Sequence, residues 1–389
     1  MFRRPADFRS VLALPRIKSL AVSSLLARMP KGIMPLTLVL LVTQRTGSYA
    51  LAGTVTALFA LGDAATAPWQ GRLVDRFGYA RVLIPIAVVH VAATIGLVST
   101  RTPAVLGALA VLAGLGVPPI SGAVKALWAE MVSEDQLPAA YAMESLLQQS
   151  FFLFGPLLAT GLIALAGPPV AALTAAILVA GGTFGFVLAA GPRRPRPHER
   201  LRHGALRIAA VRILTASTLL QSLTYGVLPI ALVASAARAG APTTAGIVQA
   251  TLTLGGLIGG MLDGSRDYVR LMVWFGCGLV PLSIFAAIES PAGLIGLAVT
   301  LTATGLLATP LAMSGYLLIS RATPADCRTE AFAWQSTGLA IGTALGSALG
   351  GTLVDRGGPA LAFAVPPVAV GLAASLAATL RRRMPSVFG

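Results

Sequence analysis

The chain has 389 residues, 56% of them hydrophobic and only 11% charged, with a mean hydropathy of +0.81. A soluble domain carries about 25% charged residues, so this composition reads as an integral membrane protein, and its apolar runs lack the period-two alternation of a β-barrel. The net charge of +15 does not point to nucleic acid, because the basic residues are dispersed over short loops and not gathered in one domain.

In chain order the apolar runs predict an all-α membrane protein with twelve transmembrane helices, at roughly 17–43, 49–70, 82–99, 103–125, 138–164, 168–190, 208–236, 243–262, 269–288, 291–320, 331–353 and 359–380. Each approaches or exceeds the ~20 residues that cross a bilayer, and the longer ones imply tilt. The segment ahead of the first span, MFRRPADFRSVLALPRIKSL, is basic and is not followed by a short apolar core with a small-residue cleavage site, so no secretory signal is read. Lys and Arg crowd one set of alternate loops. The other set holds only Arg45, Arg101, Arg238 and Arg356. The positive-inside bias then places both termini in the cytoplasm of a multi-pass plasma-membrane protein.

Span 1 contains Arg28 and Lys31, in SSLLARMPKGIMPLTLVL. A charge at the bilayer centre costs at least ~2.5–3.5 kcal/mol, and residues three apart share one helix face. That face must look away from lipid, unless the span starts later and one side chain snorkels to the surface. Pro30 and Pro35 loosen the same helix. Asp63, in ALFALGDAATAPW, lies at similar depth in span 2. Unpaired, it would take up a proton; paired with Arg28 or Lys31 it can stay ionised. That makes it the first candidate for a switching carboxyl, against a structural pair that holds two helices together.

Spans 2 and 3 are joined by GRLVDRFGYAR, Gly71–Arg81. So charged a stretch cannot lie in hydrocarbon, and it is expected as a tight loop at one membrane face. The pattern G-x-L-x-D-R-x-G, here Gly71, Leu73, Asp75, Arg76 and Gly78 with Arg81 beyond, resembles the signature loop of the major facilitator superfamily. Tyr79 and Ala80 stand where the family usually has basic residues. The resemblance implies two six-helix bundles that handle substrate between them, with this loop latching the cytoplasmic side and span 1 facing a central cavity.

Further along, Glu144 lies near the cytoplasmic end of span 5, with Gln148 one turn on and Gln149 beside it. Glu144 either relays protons and lines a vestibule or caps the helix start; the glutamines suit a cavity. The stretch FGPLLATG, with Gly155, Pro156 and Gly161, resembles part of the helix 5 motif of the family's exporters, although Ala159 and Thr160 replace its usual glycine pair. Close helix packing explains the same glycines without a direction of transport. Residues 191–207 form a Pro- and Arg-rich cytoplasmic linker between bundles 1–190 and 208–389.

The halves repeat. DQLPAAYAMES (Asp135–Ser145) aligns with DCRTEAFAWQS (Asp326–Ser336), which sets Gly155 opposite Gly346, and GRLVDRFGYAR aligns with GGMLDGSRDYVR, which sets Gly71 opposite Gly259 and Asp75 opposite Asp263. Gln221, Tyr225, Trp334 and Gln335 are weaker pathway candidates, Trp69 and Trp128 mark an interface belt, and His90 reads as structural. Asp355 and Arg356 read as an external turn pair, and Glu289 as solvated.

The sequence contains no phosphate-binding G-x-x-x-x-G-K-[ST] loop and no metal-ligand spacing, so neither an ATP-driven pump, a metal site, a cofactor nor an enzyme is expected. Cys277 and Cys327 suggest no disulfide framework. The sequence therefore reads as a monomeric secondary transporter, with proton-coupled efflux of a small organic molecule as first choice. Proton-coupled uptake is the alternative, and a non-transporting receptor or scaffold on the same fold is the third reading.

Overall fold

The computed structural model describes residues 16–131, 137–191, 205–260, 267–323 and 328–383. These are helical almost throughout. The first helices are α1 (Ile17–Arg28), α2 (Pro30–Thr46), α3 (Tyr49–Phe77), α4 (Tyr79–Ser99), α5 (Pro103–Leu115), α6 (Ile120–Met131), α7 (Leu137–Ala166) and α8 (Pro168–Ala190). They are followed by α9 (Ala209–Arg238), α10 (Ala245–Gly260), α11 (Tyr268–Leu279), α12 (Pro281–Ala286), α13 (Pro291–Ala322), α14 (Arg328–Phe363) and α15 (Val365–Arg383). Among the described residues, nine segments are long and apolar enough to cross a membrane.

Local chemistry sets the ends. Pro103, Pro168 and Pro291 open α5, α8 and α13, at the position where a missing N–H leaves no bond unmade. Only Met29 separates α1 from α2, directly before Pro30. Large side chains such as Leu165, Ile177, Ile295 and Val368 are more than half exposed, which suits a surface facing acyl chains and not water.

The signature segment departs from the expected loop. α3 stays helical to Phe77, the turn is Gly78 alone, and α4 starts at Tyr79. Gly78 has φ 82, which favours glycine. Tyr79 is buried edge-on against Phe186, centroids 5.5 Å apart, in a core with Val74, Val82 and Leu83. Where the family usually carries a basic residue, this chain therefore has an aromatic core anchor. No close packing calls for Gly71: a Cβ there would meet nothing within 4 Å.

The chain divides into two compact units, one of Met1–Thr37 and Gly62–His198, the other of Leu38–Leu61 and Glu199–Gly389. In the first, α1 packs on α6, α7 and α8, and α4 on α5 and α8. In the second, α9 packs on α14 and α15, α11 on α13 and α15, and α10 on α13. The α1–α8, α1–α7, α4–α8 and α4–α5 contacts of the first unit thus recur as α9–α15, α9–α14, α11–α15 and α11–α13 in the second. The recurrence extends to single residues. Gly155 and Gly346 are 191 positions apart, as are Gly32 and Leu223. A Cβ on Gly155 would sit 2.6 Å from the Gly32 Cα, and one on Gly346 would sit 2.2 Å from the Leu223 carbonyl oxygen.

Candidate functional site

Among the described residues of the first unit, two ion pairs begin on the helix broken at Met29. Arg28, the last residue of α1, has a side chain 1% exposed. Its Nη1 donates to Glu144 Oε1 on α7, and its Nη2 donates to Glu144 Oε2 at 3.3 Å and to Ser24 Oγ at 3.1 Å. Its Nε donates to the Ser24 carbonyl oxygen, one turn back, at 2.9 Å. The guanidinium also lies 5.7 Å from the centre of the Phe151 ring. A buried ion pair repays its desolvation only when geometry is good and the remaining donors are satisfied. Arg28 meets that condition with a planar fork that stays charged.

Lys31, three residues on, opens the other pair. Its Nζ donates to Asp63 Oδ2 at 2.8 Å and to Oδ1 at 3.2 Å. These side chains are 29% and 25% exposed. The difference is one of burial: Arg28–Glu144 is sealed, whereas Lys31–Asp63 is part-exposed.

Asp63 pairs with Lys31, one of the two partners expected for it, while Arg28 takes Glu144. Other expectations change. Glu144 lies seven residues inside α7, which begins at Leu137, so it is not a helix cap. The two cations are thus matched by two carboxylates. Arg28 lines no cavity, since it is enclosed by α1, Glu144 and Phe151.

Gln148 is exposed and Gln149 half-buried on α7, and Gln221 is half-buried on α9. Gln335 Nε2 lies 3.4 Å from Thr218 Oγ1 in the second unit. Arg76 stacks on Phe77, 5.1 Å from its centroid, and Arg81 is exposed. Asp263 and residues 192–204 lie outside the described residues. His90 is buried with Nδ1 2.7 Å from the Ala113 carbonyl oxygen, and Gly116 packs on its backbone, in keeping with a structural role. Glu289 is exposed, as expected, and also pairs with Arg238 at 2.8 Å. Among the described residues no cluster of His, Cys, Asp or Glu could hold a metal.

Sequence reasoning missed the contribution of Ser24 and Phe151 to the Arg28 site. The spacing of Ser24 one turn before Arg28 was a readable signal. The position of Phe151 was not, because it depends on how α7 meets α1.

Residues 20–214 match the family model described as Major Facilitator Superfamily. Over 278 residues the chain is 24% identical to the uncharacterized MFS-type transporter y4rN of Sinorhizobium fredii, which covers 67% of this chain and 69% of that protein. Among solved structures, the POT family transporter PepTSo aligns with TM-score 0.75 at 13% identity, over 96% of this chain and 98% of its own. The nucleoside transporter NupG aligns with TM-score 0.74 at 14% identity, over 95% and 99%. At such identity these two speak for the fold alone. The matched stretch carries the signature pattern and both ion pairs, and the chain belongs to the major facilitator superfamily.

Proposed function

We propose that this membrane transporter is a proton-coupled secondary carrier of a small organic molecule. It works by alternating access of two six-helix halves, 1–190 and 208–389, joined by the basic linker 191–207, with both termini in the cytoplasm and the plasma membrane as its site. The observation that carries the reading is the Lys31–Asp63 pair, close at 2.8 Å and part-exposed. A proton on Asp63 would cancel its charge and free the Lys31 ammonium, so that one protonation event changes what the site can bind. A sealed pair such as Arg28–Glu144 has no comparable route to a proton.

Export is the first reading, supported by the resemblance of the segment containing Gly155, Pro156 and Gly161 to the helix 5 motif of exporters. Uptake by symport can be argued from the same pair. If protonation of Asp63 frees Lys31 for an anionic group, proton and anion load on the same side.

The test uses proteoliposomes and a compound that raises the melting temperature of the purified protein in a small-molecule screen at two pH values. An imposed pH gradient is expected to drive its flux in wild-type protein, and Asp63→Asn is expected to abolish the gradient dependence. Undiminished gradient-driven flux in Asp63→Asn would remove Asp63 from the mechanism. The sign of the gradient that drives accumulation separates export from uptake.

A further inference from the structure

The signature pattern occurs twice. Beside Gly71–Arg72–Leu73–Val74–Asp75–Arg76–Phe77–Gly78 the chain has Gly351–Thr352–Leu353–Val354–Asp355–Arg356–Gly357–Gly358. The two copies end their helices alike. Gly78 has φ 82 and ψ 171, Gly358 has φ 78 and ψ −178, and each turns the chain directly into a new helix. The second copy is not the repeat partner of the first, since Asp75 aligns with Asp263. It lies at the far end of α14, on the face opposite the first copy in the proposed orientation.

Asp355 is not a turn pair with Arg356. Its carboxylate receives the beginning of α3: Oδ1 accepts the Tyr49 N–H at 2.9 Å, and Oδ2 accepts the Ala50 N–H at 2.8 Å and the Ser48 hydroxyl at 2.9 Å. Ser48 Oγ in turn accepts the Leu51 N–H at 3.1 Å. The opening N–H groups of a helix have no partners within the helix and carry its positive dipole end. Here an aspartate from another helix satisfies two of them and a capping serine a third. Along the same face the backbones are in contact. A Cβ on Gly351 would lie 2.2 Å from the Tyr49 carbonyl oxygen, and one on Gly53 would lie 2.2 Å from that of Ser347. Ser347, Gly351 and Asp355, one turn apart each, thus form one edge of α14 laid on the start of α3.

All of these residues belong to the second unit, which claims Leu38–Leu61, whereas the rest of α2 and α3 belongs to the first. We infer that Asp355 is a positioning residue for transport, a releasable clamp that holds the start of α3 on α14. Because Asp355 is exposed, water competes for every bond it makes. A contact of this kind can break and re-form in each cycle, unlike the sealed Arg28–Glu144 pair. The inference rests on the alternating-access reading, but its test needs no substrate and no gradient, so it fails or survives independently of Asp63.

The test measures alkylation by a soluble maleimide in nanodiscs, on a chain with Cys277 and Cys327 replaced by serine. The reporter is Ser347→Cys, a near-isosteric change at a site 2% exposed beneath Gly53. The control is Ser217→Cys, fully buried and bonded to the Ala373 carbonyl oxygen. Adding Asp355→Asn or Asp355→Ala is expected to raise the alkylation rate at 347 about tenfold while leaving 217 within about twofold, as a shift of a two-state opening would. An unchanged rate at 347 overturns the clamp. So does an equal rise at both positions, because that reports general loosening of the bundle.

Discussion

The two halves of the chain use the same packing and different charges. Gly155 lies on Gly32 in the first unit as Gly346 lies on Leu223 in the second, so the close approach of the start of α2 to α7 is repeated by α9 and α14. The offset that relates those glycines carries Arg28 to Leu219, Lys31 to Ser222 and Glu144 to Gln335, and the offset that pairs Asp75 with Asp263 carries Asp63 to Thr251. The four members of these two ion pairs thus have uncharged counterparts in the second unit. Ser222 and Thr251 spend their hydroxyls on the carbonyl oxygens of Leu219 and Val248. The repeat thus keeps the close packing of the glycines and does not keep the two ion pairs.

The largest effect is expected from copying the second half into the first. Arg28→Leu alone leaves Glu144 buried without its partner, and breaking a buried pair from one side costs ~3–5 kcal/mol. Adding Glu144→Gln reproduces the Leu219/Gln335 combination and is expected to recover most of that loss in an equilibrium unfolding measurement. If the double variant is as unstable as the single, the second half is no guide to a stable uncharged solution.

The next effect tests the shared packing. Gly155→Ala and Gly346→Ala each force a Cβ into a neighbouring backbone, and overpacking of that kind costs ~1–3 kcal/mol. The two losses should be alike. A loss confined to one half would show that the repeat of the glycines is not a repeat of the contact. A smaller effect follows at Lys31. Its pair with Asp63 is part-exposed, and exposed pairs contribute at most ~1 kcal/mol, so Lys31→Met should barely change stability while disturbing transport. Arg28 and Lys31 would then separate cleanly into a structural and a functional cation.

That these charges lie inside apolar helices was legible in the sequence, because charged residues within apolar runs need no tertiary information to be noticed. Their partners were not. Arg28 and Lys31 are three residues apart on one helix, and either could have claimed Asp63. Glu144 is drawn to Arg28 by the way α7 crosses α1, and no local pattern encodes that crossing. The signature segment was misread for another reason. Its charges rule out hydrocarbon but not helix, and nothing between Gly71 and Phe77 breaks one, so α3 runs on to Phe77. Asp355 was read as a local turn because its partners at Ser48–Ala50 are remote in sequence.

The smallest expected effect concerns a place where the halves differ in packing instead of charge. Gly259, the counterpart of Gly71, lies against α13: its Cβ would come within 2.1 Å of the Leu306 carbonyl oxygen. Gly71 has nothing within 4 Å and lies inside α3. In a helix, alanine at a compatible position stabilises by ~0.4–1 kcal/mol relative to glycine, chiefly by restricting the unfolded chain. Gly71→Ala should therefore raise the unfolding free energy slightly, while Gly259→Ala should lower it. If Gly71→Ala gives the predicted gain in stability yet impairs transport, the signature glycine serves a conformation in which α3 is approached more closely than it is here. If stability rises and transport is untouched, the pattern's first glycine has no close contact to protect in this chain, and its aspartate, arginine and second glycine carry what the loop does.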